Sequence, residues 1–446
     1  MEGVAIVLGV AVFMLLIFLG LPILLCFLSG TLAVVFLLGR SLDFIPGIAF
    51  FAASSSVLVT VALFIFGGYV MNQAGIADPL MRLAHTLVGR LRGGLAAVCV
   101  VTSLLFAALT GSGLASIAAT GPIMIPRMEK YGYDRRYSTA VICAAGFLGY
   151  LIPPSIPVLI YCFIAQQSIA ALFLATVIPG IILAIAYLIV IYFTCGKWIR
   201  PVPQAQEETG KGALVYFKEL GQRTISAIPA LLCPLIVLGG IYGGIFTPNE
   251  AAAVGVVYSA IVGVFIYRGL NLKSGWQALR DTVSALGMLS PLVFFAVIFT
   301  RTLVQEGAGQ VVSTFVMSIT NNPYMLLLII MVVLLILGMF IENISIMLVV
   351  TPLLMPLLKI MGFNLIHMGS MFVLAMGIAL TTPPFADALF LGARIGNVPF
   401  HSLVRPLLPF LLFAAFPVLL LVAYVPILSL WLPTLVVGKQ IVFGVG

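Results

Sequence analysis

Long apolar stretches separated by short polar ones fill the chain, near 3–28, 29–45, 53–75, 94–126, 137–162, 170–196, 223–243, 250–268, 281–303, 323–360, 367–394 and 405–434. A helix needs about 20 residues to cross a bilayer, so most of these predict one span each. Two are too long for that. Stretch 94–126 is interrupted at Thr110-Gly111-Ser112-Gly113, and stretch 323–360 at Gly338 and Glu342-Asn343. Glycine permits a sharp reversal, so both predict helical hairpins that enter and leave the bilayer on one side. Arg82, Arg90 and Arg92 precede the first hairpin, and Arg127, Lys130, Arg135 and Arg136 follow it. A single crossing would send one of these clusters outside, against the bias of Lys and Arg toward the cytoplasm. The second hairpin has almost no flanking positive charge and is expected to enter from the opposite face.

Proline punctuation repeats across the chain. Pro122, Pro126 and the pair Pro153-Pro154 recur 230 residues later as Pro352, Pro356 and the pair Pro383-Pro384, and Gly132 and Gly362 keep the same offset. Proline removes a backbone donor and is expected to break a helix. In hydrocarbon, such a break is tolerated only where the freed groups are buried in protein or line a wet cavity. Matching broken segments in two halves point to the binding site of a repeat-built secondary transporter.

The predicted fold is therefore an all-α polytopic membrane protein of two inverted-topology repeats. Repeat 1–198 comprises scaffold spans in 1–75, an amphipathic arm 76–92, hairpin 94–126, broken span 137–162 and span 170–196. A polar linker, 199–222, follows on the cytoplasmic side. Repeat 223–446 comprises spans in 223–303, arm 305–321, hairpin 323–360, broken span 367–394 and span 405–434. Both termini are expected outside.

Composition agrees with a membrane protein: 63% of the 446 residues are hydrophobic and 8% charged, against about 25% charged in soluble domains. The net charge of +8 invites a nucleic-acid reading. The cations instead lie in short loops between apolar stretches, where they act as topology signals. With both hairpins in place, only Arg40, Arg301, Lys359 and Lys439 of the 21 Lys and Arg fall outside. The apolar run from Val4 is long enough to span and predicts no cleaved leader. Cys26, Cys99, Cys143, Cys162, Cys195 and Cys233 are scattered through apolar sequence and read as packing residues.

Polar residues at membrane depth are few. Thr110, Ser112 and Ser116 lie at the first hairpin and Ser155 beside Pro153-Pro154. Glu342, Asn343 and Ser345 lie at the second hairpin, with Thr381, Thr382 and Asp387 around Pro383-Pro384. Carbonyls released by a break are hard ligands for a small cation, and half-helix N-termini offer amides to an anion. A hydroxyl in a helix can equally bond its own backbone. Glu342 and Asp387 are costly in a membrane and are functional candidates; helix-terminal carboxylates held by amides are the alternative. Glu250, after Thr247-Pro248-Asn249, reads as a first-turn residue that complements the helix dipole. Arg301 reads as a snorkelling cation. Enzyme chemistry finds no HExxH or P-loop pattern. His85, His367 and His401 fall at segment edges, too far out to act as a base for Gly111-Ser112-Gly113 read as a nucleophile turn.

At its motifs the chain resembles the large membrane subunit of tripartite ATP-independent periplasmic (TRAP) transporters. They are GSGLASIAATGPIMIP (111–126), GYDRRYS (132–138), AAGFLGYLIPPSIP (144–157), GGIYGGIFTPNEAAAVG (239–255), ENISIMLVVTP (342–352) and TTPPFADALF (381–390). The resemblance implies a sodium-driven importer of organic acid anions, usually carboxylates, in a bacterial inner membrane. It implies an elevator movement and two separate partners, a small membrane subunit of about four helices and a periplasmic substrate-binding protein. It places one sodium site at Gly111, Ser112 and Gly113 against Gly146, Gly149, Pro153 and Pro154. A second site falls at Gly338, Glu342 and Asn343 against Gly377, Thr381, Thr382 and Pro383. Thr110, Ser116, Ser155, Ser345 and Asp387 are then expected near the substrate. At least two sodium ions per substrate and no bound cofactor are expected. The rivals are a stand-alone sodium–dicarboxylate symporter of the related divalent-anion family and, in another class, a channel filtered by the hairpins.

Overall fold

The computed structural model describes residues 2–200, 213–384 and 386–443, and these are all-helical apart from one isolated bridge between Tyr133 and Ile199. The first half runs α1 (Glu2–Phe18), α2 (Ile23–Leu37), α3 (Phe44–Ala53), α4 (Ser56–Gln73), α5 (Ala77–Val88), α6 (Gly94–Thr110), α7 (Gly113–Lys130), α8 (Arg135–Gly146), α9 (Ile156–Ala165) and α10 (Ile169–Thr194). The second runs α11 (Ala213–Tyr242), α12 (Pro248–Ile261), α13 (Leu272–Gln305), α14 (Ala308–Ile319), α15 (Pro323–Gly338), α16 (Asn343–Ile360), α17 (Leu365–Ala379), α18 (Asp387–Gly396), α19 (Phe400–Phe410), α20 (Phe416–Tyr424), α21 (Ile427–Val436) and α22 (Lys439–Phe443). Among the described residues seven helices are long and apolar enough to cross a bilayer unaided, and an eighth if the bent pair α14–α15 counts as one.

Both long stretches divide into two helices, α6 and α7 about Gly111-Ser112 and α15 and α16 about 339–342, and α6 packs along α7. The arm helix α5 is amphipathic, burying Leu80, Met81, Leu83 and Ala84 and turning Asp78 and Arg82 outward, whereas α14 carries no charge and leaves Phe315 and Ile319 exposed. Helix starts follow side-chain chemistry. Ser55, Asp134, Ser168 and Asn364 each accept a backbone N–H of their helix's first turn. Thr247 and Glu250 form a reciprocal capping box, the first-turn role expected for Glu250.

Several boundaries differ from the sequence reading. The division between 3–28 and 29–45 falls instead at Gly20-Leu21-Pro22, where Gly20 takes a positive φ and Pro22 starts α2; the break is hidden because its flanks are apolar. Helix α3 was not expected. Pro122, Pro126, Pro352 and Pro356 do not break their helices but sit inside α7 and α16. Each deletes one backbone bond, and packing on several neighbouring helices holds the rest together. Within the linker, residues 201–212 lie outside the described residues, while 213–222 already belong to α11. Stretch 281–303 starts earlier, at Leu272, because Asn271 caps α13. Stretch 405–434 is two pieces, divided at Val425-Pro426.

Two groups of helices emerge from the packing. In one, α1 and α2 lie against each other and against α13, with Phe13 stacked on Phe27 at 4.9 Å and on Phe299 at 5.1 Å between ring centroids, and Phe27 and Phe299 tilted at 5.8 Å. Helices α4, α11 and α12 complete this group. In the other lie α6–α7, α15–α16, the helices that flank the proline pairs, α10 and α19–α21, and the two groups join in one core where α13 packs on α16 and α4 on α6 and α9. Ser370 of α17 donates to the Ala175 carbonyl of α10 at 3.0 Å, and Tyr161 of α9 to Leu365 O at 2.8 Å. His367 is buried, its ring joined to Ser429 at 2.7 Å and to the Ala423 carbonyl at 3.2 Å. The six cysteines are buried and unpaired.

Candidate functional site

The first hairpin turns on Gly111, which takes φ +62°, a conformation costly for any side chain with a Cβ. Ser112 then caps α7 by accepting the Ala115 N–H. Opposite it, α8 ends at Gly146, one tight 3-10 turn covers Phe147–Tyr150, and irregular backbone leads through Pro153-Pro154 to α9. Tip and break meet backbone to backbone. The Ile156 N–H donates to Gly111 O at 3.3 Å. A Cβ on Gly149 would stand 2.8 Å from Gly113 Cα, Gly113 N and Ser112 C, so only glycine admits this approach.

The second pair repeats the plan with other side chains. Helix α15 ends at Gly338, whose missing Cβ makes room for Ala379 at the end of α17. Glu342 caps α16 and accepts the Ser345 N–H at 3.2 Å and the Ser345 hydroxyl at 3.3 Å. Across from it, irregular backbone runs through Pro383-Pro384 to Asp387, the first residue of α18.

Each proline pair withholds two donors from the helix before it. Pro154 and Pro384 would have served Tyr150 O and Leu380 O. Tyr150 O is retaken by the Ser155 hydroxyl at 2.6 Å, and Leu380 O by the Ala388 N–H at 3.3 Å. Both prolyl bonds, Pro153-Pro154 and Pro383-Pro384, are cis.

The sequence-predicted polar residues divide into three groups. Thr110, Thr381 and Thr382 bond back to carbonyls of their own helices, Phe106 O for the first and Ile378 O for the other two. Ser112, Ser155, Glu342 and Ser345 hold the tips and breaks in shape, as just described. Ser116 and Asn343 are buried, and neither the Ser116 hydroxyl nor either end of the Asn343 amide has a hydrogen-bond partner. A buried amide with no partner costs a few kcal/mol, so Asn343 is the group most in need of a ligand. Asp387 is exposed. Arg301 lies over the ring of Phe51 at 4.3 Å, which accounts for it without an anionic ligand.

Sequence reasoning missed how the half-sites join. Phe147, in the first break, packs on Gly377 of α17. The Tyr150 phenol faces Ser112 and the Leu114 amide, and its neighbouring charges are Glu342 and Asp387 of the other half. Cys143 of α8 donates to Ala388 O of α18 at 3.3 Å. Helix α7 packs on α18 and α16 on α9. One compact cluster thus contains two oxygen-lined backbone breaks and the N-termini of α7, α9, α16 and α18. It can offer carbonyl and hydroxyl oxygens to a small hard cation and helix-start amides to an anion. Between the α3–α4 turn (Ser54, Ser55, Ser56) and the α9–α10 turn (Gln166, Gln167), at the end of α9 remote from Pro153-Pro154, lies a cavity of ≈ 490 Å³.

The chain is a polytopic all-helical membrane protein whose relatives are named as transporter permeases, so it is a transporter rather than an enzyme. The chain belongs to the family of the tripartite ATP-independent periplasmic transporter, DctM component, whose profile matches residues 4–428. It is 36% identical over 382 residues to the sialic acid TRAP transporter large permease protein SiaM of Vibrio cholerae, covering 85% of this chain and 87% of that one. It is 35% identical over 406 residues to the C4-dicarboxylate TRAP transporter large permease protein DctM of Pseudomonas aeruginosa, covering 91% and 93%. Among solved structures, the YdaH transporter of Alcanivorax borkumensis superposes with a TM-score of 0.58 at 16% identity, over 85% of this chain and 86% of that one, a likeness of fold alone. The chain is a multi-pass membrane protein, and a bacterial inner membrane fits it.

Proposed function

We propose that this chain imports organic acid anions, carboxylates above all, across a bacterial inner membrane, and that at least two sodium ions drive each substrate inward. The observation that carries the reading is the first hairpin tip pressed on a proline-broken backbone of neutral oxygens, with Gly338 in the second half fitted against the end of α17 ahead of a second proline pair. Such a site suits sodium. A proton mechanism with two half-sites would want a carboxylate or histidine in each, and around its tip and break the first half brings hydroxyls, the Tyr150 phenol and backbone. The carboxylate substrate class is taken from relatives named for sialic acid and C4-dicarboxylates.

In this reading the core of hairpins, broken helices and α10 moves as a block against the group built on α2, α4, α11, α12 and α13. The cavity between the groups is the seam, and the arms α5 and α14 are the links. The two halves are inverted repeats, with both termini outside and the linker inside. The description tripartite supports two partners, a small membrane subunit of about four helices and a periplasmic protein that delivers the substrate.

The test is uptake into proteoliposomes that contain the chain, its small subunit and the binding protein. Uptake is expected to rise sigmoidally with external sodium. For a monovalent acid, an inside-negative potential should accelerate it, because two sodium ions carry in net positive charge. Full uptake on a proton gradient in sodium-free buffer would refute the coupling.

A further inference from the structure

We infer that a groove between the start of α6 and the end of α10 is a binding site for an anionic glycerophospholipid. The groove measures ≈ 250 Å³, and its walls are Leu91 and Ala97 on one side and Ile185, Ile189 and Phe193 on the other. Ile189 and Phe193 are 53% and 72% exposed, so the walls face outward rather than into the core. One end of the groove is basic. The Arg92 guanidinium stands 5.7 Å over the ring of Tyr192, with Nη2 only 3.0 Å from where a side chain on Gly196 would begin. Lys197 follows directly and is also exposed. Neither cation has a carboxylate partner among the described residues, and the stretches 86–128 and 169–206 contain no Asp or Glu at all.

An apolar trough with an arginine and an aromatic ring at one end, and a second exposed cation, Lys197, close along the chain, matches a molecule with acyl chains and a phosphodiester. Arginine takes phosphate through two parallel N–H bonds, and tyrosine favours the headgroup level. Free phosphate would use the cations but leave the trough bare, so the occupant is the lipid. The site lies where the chain passes from arm α5 into the first hairpin, so a bound lipid would tie that passage to α10. This inference does not depend on the sodium coupling or the direction of movement.

The experiment is native mass spectrometry of the full chain from detergent, with phosphatidylglycerol and phosphatidylcholine of equal chain length mixed one to one. Each cation near a phosphate favours binding about fivefold. Wild type is expected to retain phosphatidylglycerol preferentially, R92Q to lose about fivefold of that preference, and R92Q with K197Q to lose all of it. Filling the trough with Ala97→Phe should abolish retention with both cations in place, and glycerol phosphate should not compete. Should the charge variants fail to fold, brominated lipids read the site in a W276F/W431F variant that keeps only Trp198, two residues beyond Gly196. Phosphatidylglycerol should then quench more strongly than phosphatidylcholine. Equal retention or quenching by the two lipids, or loss of the preference when the small subunit is bound, would overturn the inference.

Discussion

Replacing Gly149 with alanine tests whether the tip–break contact binds the coupling ion. The added methyl would lie 2.8 Å from Gly113 Cα, Gly113 N and Ser112 C, well inside any real contact. All three are backbone atoms, so no flexible side chain can swing aside. The tip must move off the break. Overpacking of this kind costs about 1–3 kcal/mol. If the strain is relieved only by separating tip and break, the whole penalty falls on the ion-competent state. Sodium affinity then drops roughly 5- to 150-fold. The assay is the sodium concentration for half-maximal uptake in proteoliposomes, alongside thermal stability of the purified chain. Gly239→Ala is the matched control, since a methyl there meets nothing within 4 Å, and it should leave both readings unchanged. If Gly149→Ala keeps wild-type sodium dependence while remaining folded, the tip–break contact is packing and not the ion site.

Two further outcomes follow from the same geometry. Asn343→Ala removes a buried amide that has no hydrogen-bond partner; stability should hold or rise by about 1 kcal/mol, while sodium-dependent uptake falls at least tenfold, and a stable variant with normal uptake would remove Asn343 from the site. With native cysteines replaced, a cysteine at Gly221 should resist an impermeant thiol reagent in intact cells and one at Gly362 should react; the reverse pattern would invert the proposed topology.

Much of this was legible in the sequence because it is written in backbone chemistry. Glycine and a capping residue mark each hairpin tip, Gly111-Ser112 and Gly338 to Glu342, and adjacent prolines mark each break. Single prolines misled. Pro122 and Pro352 carry the same punctuation as the pairs, yet each costs only one backbone bond, and helices packed around α7 and α16 hold the line. The joint at Gly20 to Pro22 escaped notice for a different reason: both sides are apolar, so hydropathy does not dip there. Phe147 and Tyr150 lay inside a quoted motif but gave no signal of their own. Their roles come from contacts with the other half, and one half's sequence does not state which residues of the other it will meet.

Those contacts bear on the repeat itself. An offset of 230 residues pairs Ser112 with Glu342, Gly113 with Asn343 and Pro157 with Asp387. Ser112 and Glu342 are both N-caps, accepting N–H groups at the equivalent positions Ala115 and Ser345. The backbone role is conserved between the halves while the side chain changes from a hydroxyl to a carboxylate. Packing between the halves is reciprocal: α7 meets α18, and their equivalents α16 and α9 meet in turn. Phe147 touches Gly377, which is its own equivalent at that offset. Two copies about a two-fold axis must pack this way, with residue i on j and j on i, and a residue that meets its counterpart lies on the axis. Gly377 is small because Phe147 is large; two aromatic rings would not fit there, and two glycines would leave a cavity between the broken helices. The halves have therefore diverged where they share space, and the proposed coupling makes use of that divergence: a neutral half-site around Ser112 and an acidic one around Glu342, joined through Tyr150.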